Sequence, residues 1–261
     1  MSKTIIASLA SGSKANCTLV SDGSTHILID MGLSCRRAEQ ALKGYGLTLG
    51  DVSAVFLTHE HSDHTAGLPT FFKKFQTPVY ITEPSYLDYI RGKGFEFRDR
   101  FTVVPESFSA VTGAIKITSL PVRHDSAACV AYRIEGESIS LGICTDAGCP
   151  TEELFGFFKD LNCVITESNY DETMLRLGAY PEDLKYRILS DSGHTSNDAC
   201  ADFVCRLAGS GVKNVLLAHI SPENNTPDLA VYVTDEALKN KGLKLDFLAA
   251  APRDSILELP S

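Results

Sequence analysis

The chain has 261 residues, of which 44% are hydrophobic and 22% charged, a globular composition that sets aside disordered, collagenous and low-complexity classes. Its net charge of −9 cannot hold a polyanion by bulk attraction, so any nucleic-acid contact requires a local basic patch. No apolar run approaches the ~18 residues of a membrane span, and the eight cysteines include no C-x-x-C pair. A cytoplasmic chain with reduced thiols is expected, since most of the cysteines lie inside apolar runs where they act as small hydrophobes.

The opening TIIASLA reads as a strand followed by the tight loop SGSKAN, its apolar stretch being too short for an export signal. Runs bounded by Gly, Pro or Asn then predict strands at CTLVS, HILIDMG, VSAVFLTH, PVYIT, FTVV, AIKITSL, CVAYRIE, SISLGICTD, CVITES, YRILSDS, NVLLAHIS and LDFLAAA. A helix is expected over 197–207, where Cys200, Phe203, Val204 and Leu207 share one face, and another over 227–239 with Gly242 as its stop. The first half reads as a meander and the second as alternating strand and helix. No linker separates them, so a single α+β domain over 1–261 is expected, with two sheets face to face and helices outside. An internal duplication is compatible with this order, although no sequence repeat is visible. Arg36-Arg37 and Lys73-Lys74 read as solvated helix faces. Arg91, Lys93, Arg98 and Arg100, interleaved with Phe95, Phe97 and Phe101, read as a Phe-anchored loop over the core in preference to a base-stacking surface.

The densest chemistry lies in THEHSDH, where His59, His61, Asp63 and His64 follow an apolar strand. Neutral imidazole and carboxylate suit Zn²⁺, Mn²⁺ or Fe²⁺. One catalytic metal needs three protein ligands and an open position, so this supply points to two divalent ions sharing a hydroxide. His124, Asp146 and His219 each follow an apolar run, where a rigid strand can present them to a common rim. The expected sites are His59, His61 and His124 for one ion, and Asp63, His64 and His219 for the other, with Asp146 bridging. His26, at a strand start, receives no role.

These residues resemble the H-x-H-x-D-H motif and the later His, Asp and His ligands of the metallo-β-lactamase-fold hydrolases. The resemblance runs from HILIDMG to AHIS and implies an αββα four-layer sandwich with two metals at one edge between the sheets. It also implies that Asp30 orients the metal loop without binding metal. SLASGSKAN, TESNYD, SGHTSNDA and AHISPENN resemble segments of the YycJ (WalJ)-like branch, and the middle two are similar to the later motifs of tRNase Z. Lys14-Ala15 and Tyr170 depart from the branch pattern, and the second departure leaves a proton-transfer or ligand role at Tyr170 without support.

That branch implies a 5′-to-3′ DNA exonuclease linked to DNA repair. In such a reaction a metal-bridging hydroxide attacks the phosphodiester in line and Asp63 accepts its proton. The leaving oxygen needs an acid, and His194, poised by Glu167, is the histidine free for it. The short stretch between Asp146 and His219 has no room for the inserted domain of β-CASP nucleases, and no Gly/Pro-rich tRNase Z arm is present. Two alternatives stay open: a small-substrate hydrolase of the same fold (cyclic phosphodiesterase, thioesterase or lactonase), and a catalytically silent binding relative.

Overall fold

Two seven-stranded mixed sheets face each other in a computed structural model that describes residues 3–93 and 96–260. In the first sheet, β1 (Ile5–Ala10), β2 (Cys17–Ser21) and β3 (His26–Ile29) form an antiparallel meander. From β3 onward the chain changes habit. Helix α1 (Cys35–Lys43) leads to β4 (Ala54–Phe56), and α2 (Ser62–Thr65) and α3 (Leu68–Lys74) lead to β5 (Val79–Thr82). Helix α4 (Glu83–Lys93) leads to β6 (Phe101–Val104), and β3 to β6 pair in parallel. The expected all-meander first half is therefore corrected: it alternates strand and helix after β3, because parallel neighbours require crossovers.

The second sheet repeats this plan. The strands β7 (Ser109–Thr112), β8 (Ile115–Val122), β9 (Cys129–Glu135) and β10 (Ser140–Cys144) are antiparallel. Helix α5 (Glu152–Phe158) then leads to β11 (Cys163–Glu167). The hairpin of α6 (Glu172–Leu177) and α7 (Glu182–Leu189) precedes α8 (Asn197–Gly209) and β12 (Asn214–Ala218). After α9 (Pro227–Asn240) and β13 (Phe247–Ala250), the parallel run β10 to β13 is complete. The short β14 (Leu257–Glu258) returns to β1, pairing Ala7 with Glu258. Each sheet is thus four antiparallel strands followed by a parallel run, a shared topology that the sequence does not display as a repeat.

Three apolar layers produce the αββα order. Leu28, Leu42, Phe71 and Phe72 fill the space between the first sheet and its helices. Ile27, Ile29 and Phe56 meet Ile117, Tyr132, Ile143 and Ile165 between the sheets. Val164, Val215 and Leu217 meet Phe158, Phe203 and Val204 beneath α5 and α8. Strands covered on both faces read as continuous apolar runs, which is why they were legible. At the centre, Phe56 stacks on Tyr80 with ring centroids 4.5 Å apart, and Tyr132 donates its hydroxyl to the Leu57 carbonyl at 2.5 Å. Truncating Phe56 to Ala would cost about 3–5 kcal/mol, the usual range for a buried Phe.

YRILSDS is not a strand. Its apolar part lies in α7, where Leu184 and Ile188 pack inward one helical turn apart while Tyr186 and Arg187 face out. That period of 3.6, together with Glu182 and Asp183 in the first turn, overrides a short β-like run. Of the basic stretch, Phe97 packs on Phe72 and Phe101 on Phe72, Tyr86 and Tyr89, as a Phe-anchored loop should. Arg100 lies over the Phe72 ring and donates to the carbonyls of Phe72 and Phe75. Phe95 and the Lys93 side chain lie outside the described residues. No helix among the described residues is long and apolar enough to cross a membrane.

Candidate metal centre

The motif loop hangs from the end of β4. Asp30 leaves β3 with φ 63°, in the left-handed region, and this turns its carboxylate under the loop. There Oδ1 accepts from the Thr58 N–H at 2.8 Å and Oδ2 faces His64 Nδ1 at 2.8 Å. Capturing the Thr58 amide explains why the β4 ladder stops at Phe56. Asn16, from the SGSKAN loop, donates its backbone N–H to the Asp63 carbonyl at 2.8 Å, and its Nδ2 lies 3.1 Å from Asp63 Oδ2 and 3.0 Å from His64 Nε2. A Cβ on Gly32 would sit 1.7 Å from the Asp63 carbonyl oxygen, so only glycine permits this approach.

The second sheet supplies the facing groups from strand ends. His124 follows β8, and its Nδ1 lies 3.1 Å from the Gly193 carbonyl. Asp146 follows β10 with φ 58°, and His219 follows β12 with φ 52°. The His219 amide donates to Ser11 Oγ at 2.8 Å, and His219 Nδ1 lies 2.9 Å from Glu167 Oε1. Three of the four non-glycine residues with positive φ among the described residues thus border this cluster, as strained backbone at functional sites tends to do.

The structure brings together every residue singled out as a ligand. His59, His61 and His124 can each offer a donor atom within 4.8 Å of the others; so can Asp63, His64 and His219, and so can His59, His64 and Asp146. Asp146, Glu167, His194 and His219 form a further such group. The Nδ1 atoms of His64, His124 and His219 are engaged by Asp30, the Gly193 carbonyl and Glu167, which fixes each ring and leaves Nε2 as the inward donor. His59 Nε2 is buried without a hydrogen-bond partner, and the equally buried His124 Nε2 and Asp146 Oδ2 face only other titratable groups of the cluster, Asp125 at 3.2 Å and His64 at 3.1 Å. Buried polar atoms left unpaired are costly. Imidazole nitrogen and carboxylate oxygen in this number fit divalent metal ions.

Charge states agree with that fit. Burial would raise the carboxyls of Asp63 and Asp146, but the imidazoles of His64 and His219 outweigh it and hold both well below the usual carboxylate range. Burial, aided by neighbouring imidazoles, pushes His59 and His124 down, so both rings are neutral. At His64 and His219 the flanking carboxylates overcome burial and raise the imidazoles, His219 to about 10. Cation binding there therefore releases protons.

His194 lies beside this cluster, its Nδ1 2.7 Å from Glu167 Oε1 and 3.6 Å from Asp146 Oδ1. It does not cap α8; Ser196 does, accepting from the Ala199 N–H. The link from Glu167 to His219 and the lacing by Asn16 carried no signal beyond the segments that contain them. Asp171 caps α6 by accepting from the Met174 N–H at 2.8 Å. Tyr170 contributes a backbone bridge to Ser196, and burial raises its hydroxyl to about 12. His26 bonds Ser21 Oγ at 2.7 Å, away from the cluster.

Comparison with known proteins follows the same lines. The model of the beta-lactamase superfamily domain matches residues 25–220, a span containing all of these candidate groups. The chain is 35% identical over 234 residues to "Exodeoxyribonuclease YycJ" of Bacillus anthracis, covering 90% of this chain and 89% of that protein. It is 32% identical over 243 residues to "Exodeoxyribonuclease WalJ" of Streptococcus pneumoniae, covering 92% and 90%. Among solved structures, the metallo-beta-lactamase fold protein YhfI of Bacillus subtilis superposes with a TM-score of 0.72 at 18% identity, covering 98% of this chain and 99% of that one, a likeness of fold.

Proposed function

The chain belongs to the β-lactamase superfamily, and from that membership and the geometry of its cluster we propose that it is a metal-dependent exodeoxyribonuclease that degrades DNA from the 5′ end. The observation that carries the proposal is the similarity to exodeoxyribonucleases along about nine-tenths of both chains. The Glu167–His194 pair favours a phosphodiesterase over a thioesterase, because a sugar alkoxide is a poorer leaving group than a thiolate and needs a proton, and the similarity to exodeoxyribonucleases favours DNA as the ester.

In this reading His59, His61 and His124 hold one divalent ion, Asp63, His64 and His219 hold a second, and Asp146 serves both. Zn²⁺ or Mn²⁺ suits these donors, and Fe²⁺ is admitted by the same set. Bound ions neutralise charge on the phosphoryl oxygens and make water a competent nucleophile at neutral pH. The protein's own groups do the rest. Asp63, ionised and at the mouth of the cluster, accepts the proton of the attacking water. Burial opposes a charge on His194, but the Glu167 carboxylate outweighs it and raises the imidazole above its ordinary value, which favours the protonated ring. His194 then gives that proton to the leaving 3′-oxygen. Asp30, Asn16 and Glu167 keep the reacting groups in place. The unpaired thiols, all but Cys149 buried, suit a cytoplasmic setting.

The test is a time course on 5′-labelled and 3′-labelled DNA, single-stranded and duplex, with Mn²⁺ or Zn²⁺, beside bis(p-nitrophenyl) phosphate. Stepwise loss from the 5′ end is expected. Hydrolysis of the small ester with intact DNA would overturn the proposal in favour of a small-substrate phosphodiesterase.

A further inference from the structure

The α6–α7 hairpin stands apart from the three main apolar layers. It packs through its own cluster, in which Leu175 and Ile188 meet Tyr170, Tyr180, Leu184 and Leu189. Yet it is keyed to the metal centre at two points. The His194 amide donates to the Ile188 carbonyl at 3.1 Å, and Arg187 pairs with Asp125, whose Oδ1 lies 3.2 Å from His124 Nε2. The hairpin contributes Tyr180, Leu184 and Arg187 to the lining of a cavity of about 220 Å³, which Asp125, His194 and His219 also line.

Arg187 is the one Lys or Arg lining this cavity. Asp125 takes its Nε–H, and its terminal nitrogens have no hydrogen-bond partner among the described residues. The side chain is 58% exposed, and an exposed ion pair is worth at most about 1 kcal/mol. Stability alone is a weak reason for the arrangement. A planar fork of donors, oriented by a carboxylate and lining a cavity beside a phosphodiester-cleaving centre, suits a phosphate oxygen pair.

We infer that Arg187 and Tyr180 form a subsite for the nucleotide beside the scissile bond, the guanidinium holding its phosphate and the Tyr180 ring lying against its sugar or base. The inference rests on the nuclease reading and names how that site recognises its substrate. Because Asp125 directly follows His124, the carboxylate that orients Arg187 is adjacent in the chain to a member of the cluster, and this sets the register of the strand.

The test compares wild type, Arg187→Ala, Arg187→Lys and the charge-matched control Lys241→Ala on single-stranded oligonucleotides across a salt series. Arg187→Ala should raise KM about 10–100-fold, the worth of one charged hydrogen-bonding group. It should also flatten the slope of log KM against log salt by about 0.7, one phosphate contact on a single strand. Arg187→Lys should keep the slope and recover part of the KM, and Lys241→Ala should match wild type. Loss on bis(p-nitrophenyl) phosphate, which has no neighbouring phosphate, should be much smaller. Substrates with 5′-phosphate and 5′-hydroxyl ends separate the two sources of the phosphate: an Arg187 effect confined to the former assigns the terminal one, and an equal effect assigns an internal one. An unchanged KM and salt slope in Arg187→Ala, or equal losses on both substrates with a lowered melting midpoint, overturns the subsite while leaving wild-type DNA cleavage intact. A wild type inert on all DNA overturns the nuclease reading itself.

Discussion

Asp30 and Asp146 occupy corresponding places in the two sheets. Each follows the strand at which antiparallel pairing gives way to parallel, and each is left-handed, with φ 63° and 58°. They bracket one imidazole: Asp30 Oδ2 lies 2.8 Å from His64 Nδ1, and Asp146 Oδ2 lies 3.1 Å from His64 Nε2. The same device serves orientation on one side and the reacting face on the other. Asp30→Asn should keep the Thr58 contact but disturb the His64 tautomer, weakening metal affinity about 10–100-fold. Asp146→Asn should lower turnover by at least about 10²-fold with the fold retained by circular dichroism, since an amide replaces the charge at the shared position. Full rate and metal content in Asp146→Asn would refute its assignment.

Metal content is the next expectation. Protein purified without chelator should approach two transition-metal equivalents by elemental analysis. His61→Ala should deplete mainly the site built with His59 and His124, and His219→Ala mainly the site built with Asp63 and His64. A stoichiometry that never exceeds one after reconstitution would refute the dinuclear arrangement.

His194→Ala should lose about 10²–10⁴-fold on DNA, the usual worth of a general acid. The loss on bis(p-nitrophenyl) phosphate, whose leaving group departs unaided, should be far smaller. The pH profile supplies a second check. Burial disfavours the imidazolium and the Glu167 carboxylate more than compensates, so His194 holds its proton above the ordinary histidine range and activity falls as pH rises through that raised value. Glu167→Gln removes the stabilising anion, so the alkaline limb should move to lower pH. An unmoved limb would assign the proton to another group.

Thiol accessibility gives an independent test of the fold. Of eight free cysteines only Cys149 is exposed. Burial raises the thiols of Cys17, Cys144 and Cys200, the last to about 12. An aromatic disulfide reagent should therefore titrate one thiol rapidly in the native protein and all eight in denaturant. Two or more fast thiols before unfolding would contradict the packing of β2, β10 or α8.

The His and Asp cluster was legible in the sequence because its members crowd one loop or end apolar strands, and those patterns survive in one dimension. Two facing sheets with helices outside were legible from the order of the runs, since strands buried on both faces spell continuous apolar stretches, and the resemblance supplied the αββα order and the place of the cluster at its edge. The parallel pairing from β3 to β6 was not legible, since strand direction depends on crossover helices such as α1, whose Ala-rich face gives only a local signal. The α7 helix was misread because YRIL contains an apolar pair whose burial is decided by the hairpin's own small cluster. The pairing of Glu167 with His194 was expected from the segments that resemble the branch, but its second contact, with His219, joins positions 52 residues apart in the chain, and no local pattern encodes that meeting.

The donors are divided between the sheets: His59, His61, Asp63 and His64 follow β4 of the first, and His124, Asp146 and His219 follow strands of the second. Neither sheet alone can assemble the complete set. During folding, each half can form its own hydrogen-bonded ladder before the two meet, and full-affinity metal capture must wait for that meeting. Uptake of the ions should thus be a late kinetic event that clocks sheet–sheet docking, and bound metal should slow unfolding by holding the two halves together after other contacts have begun to loosen.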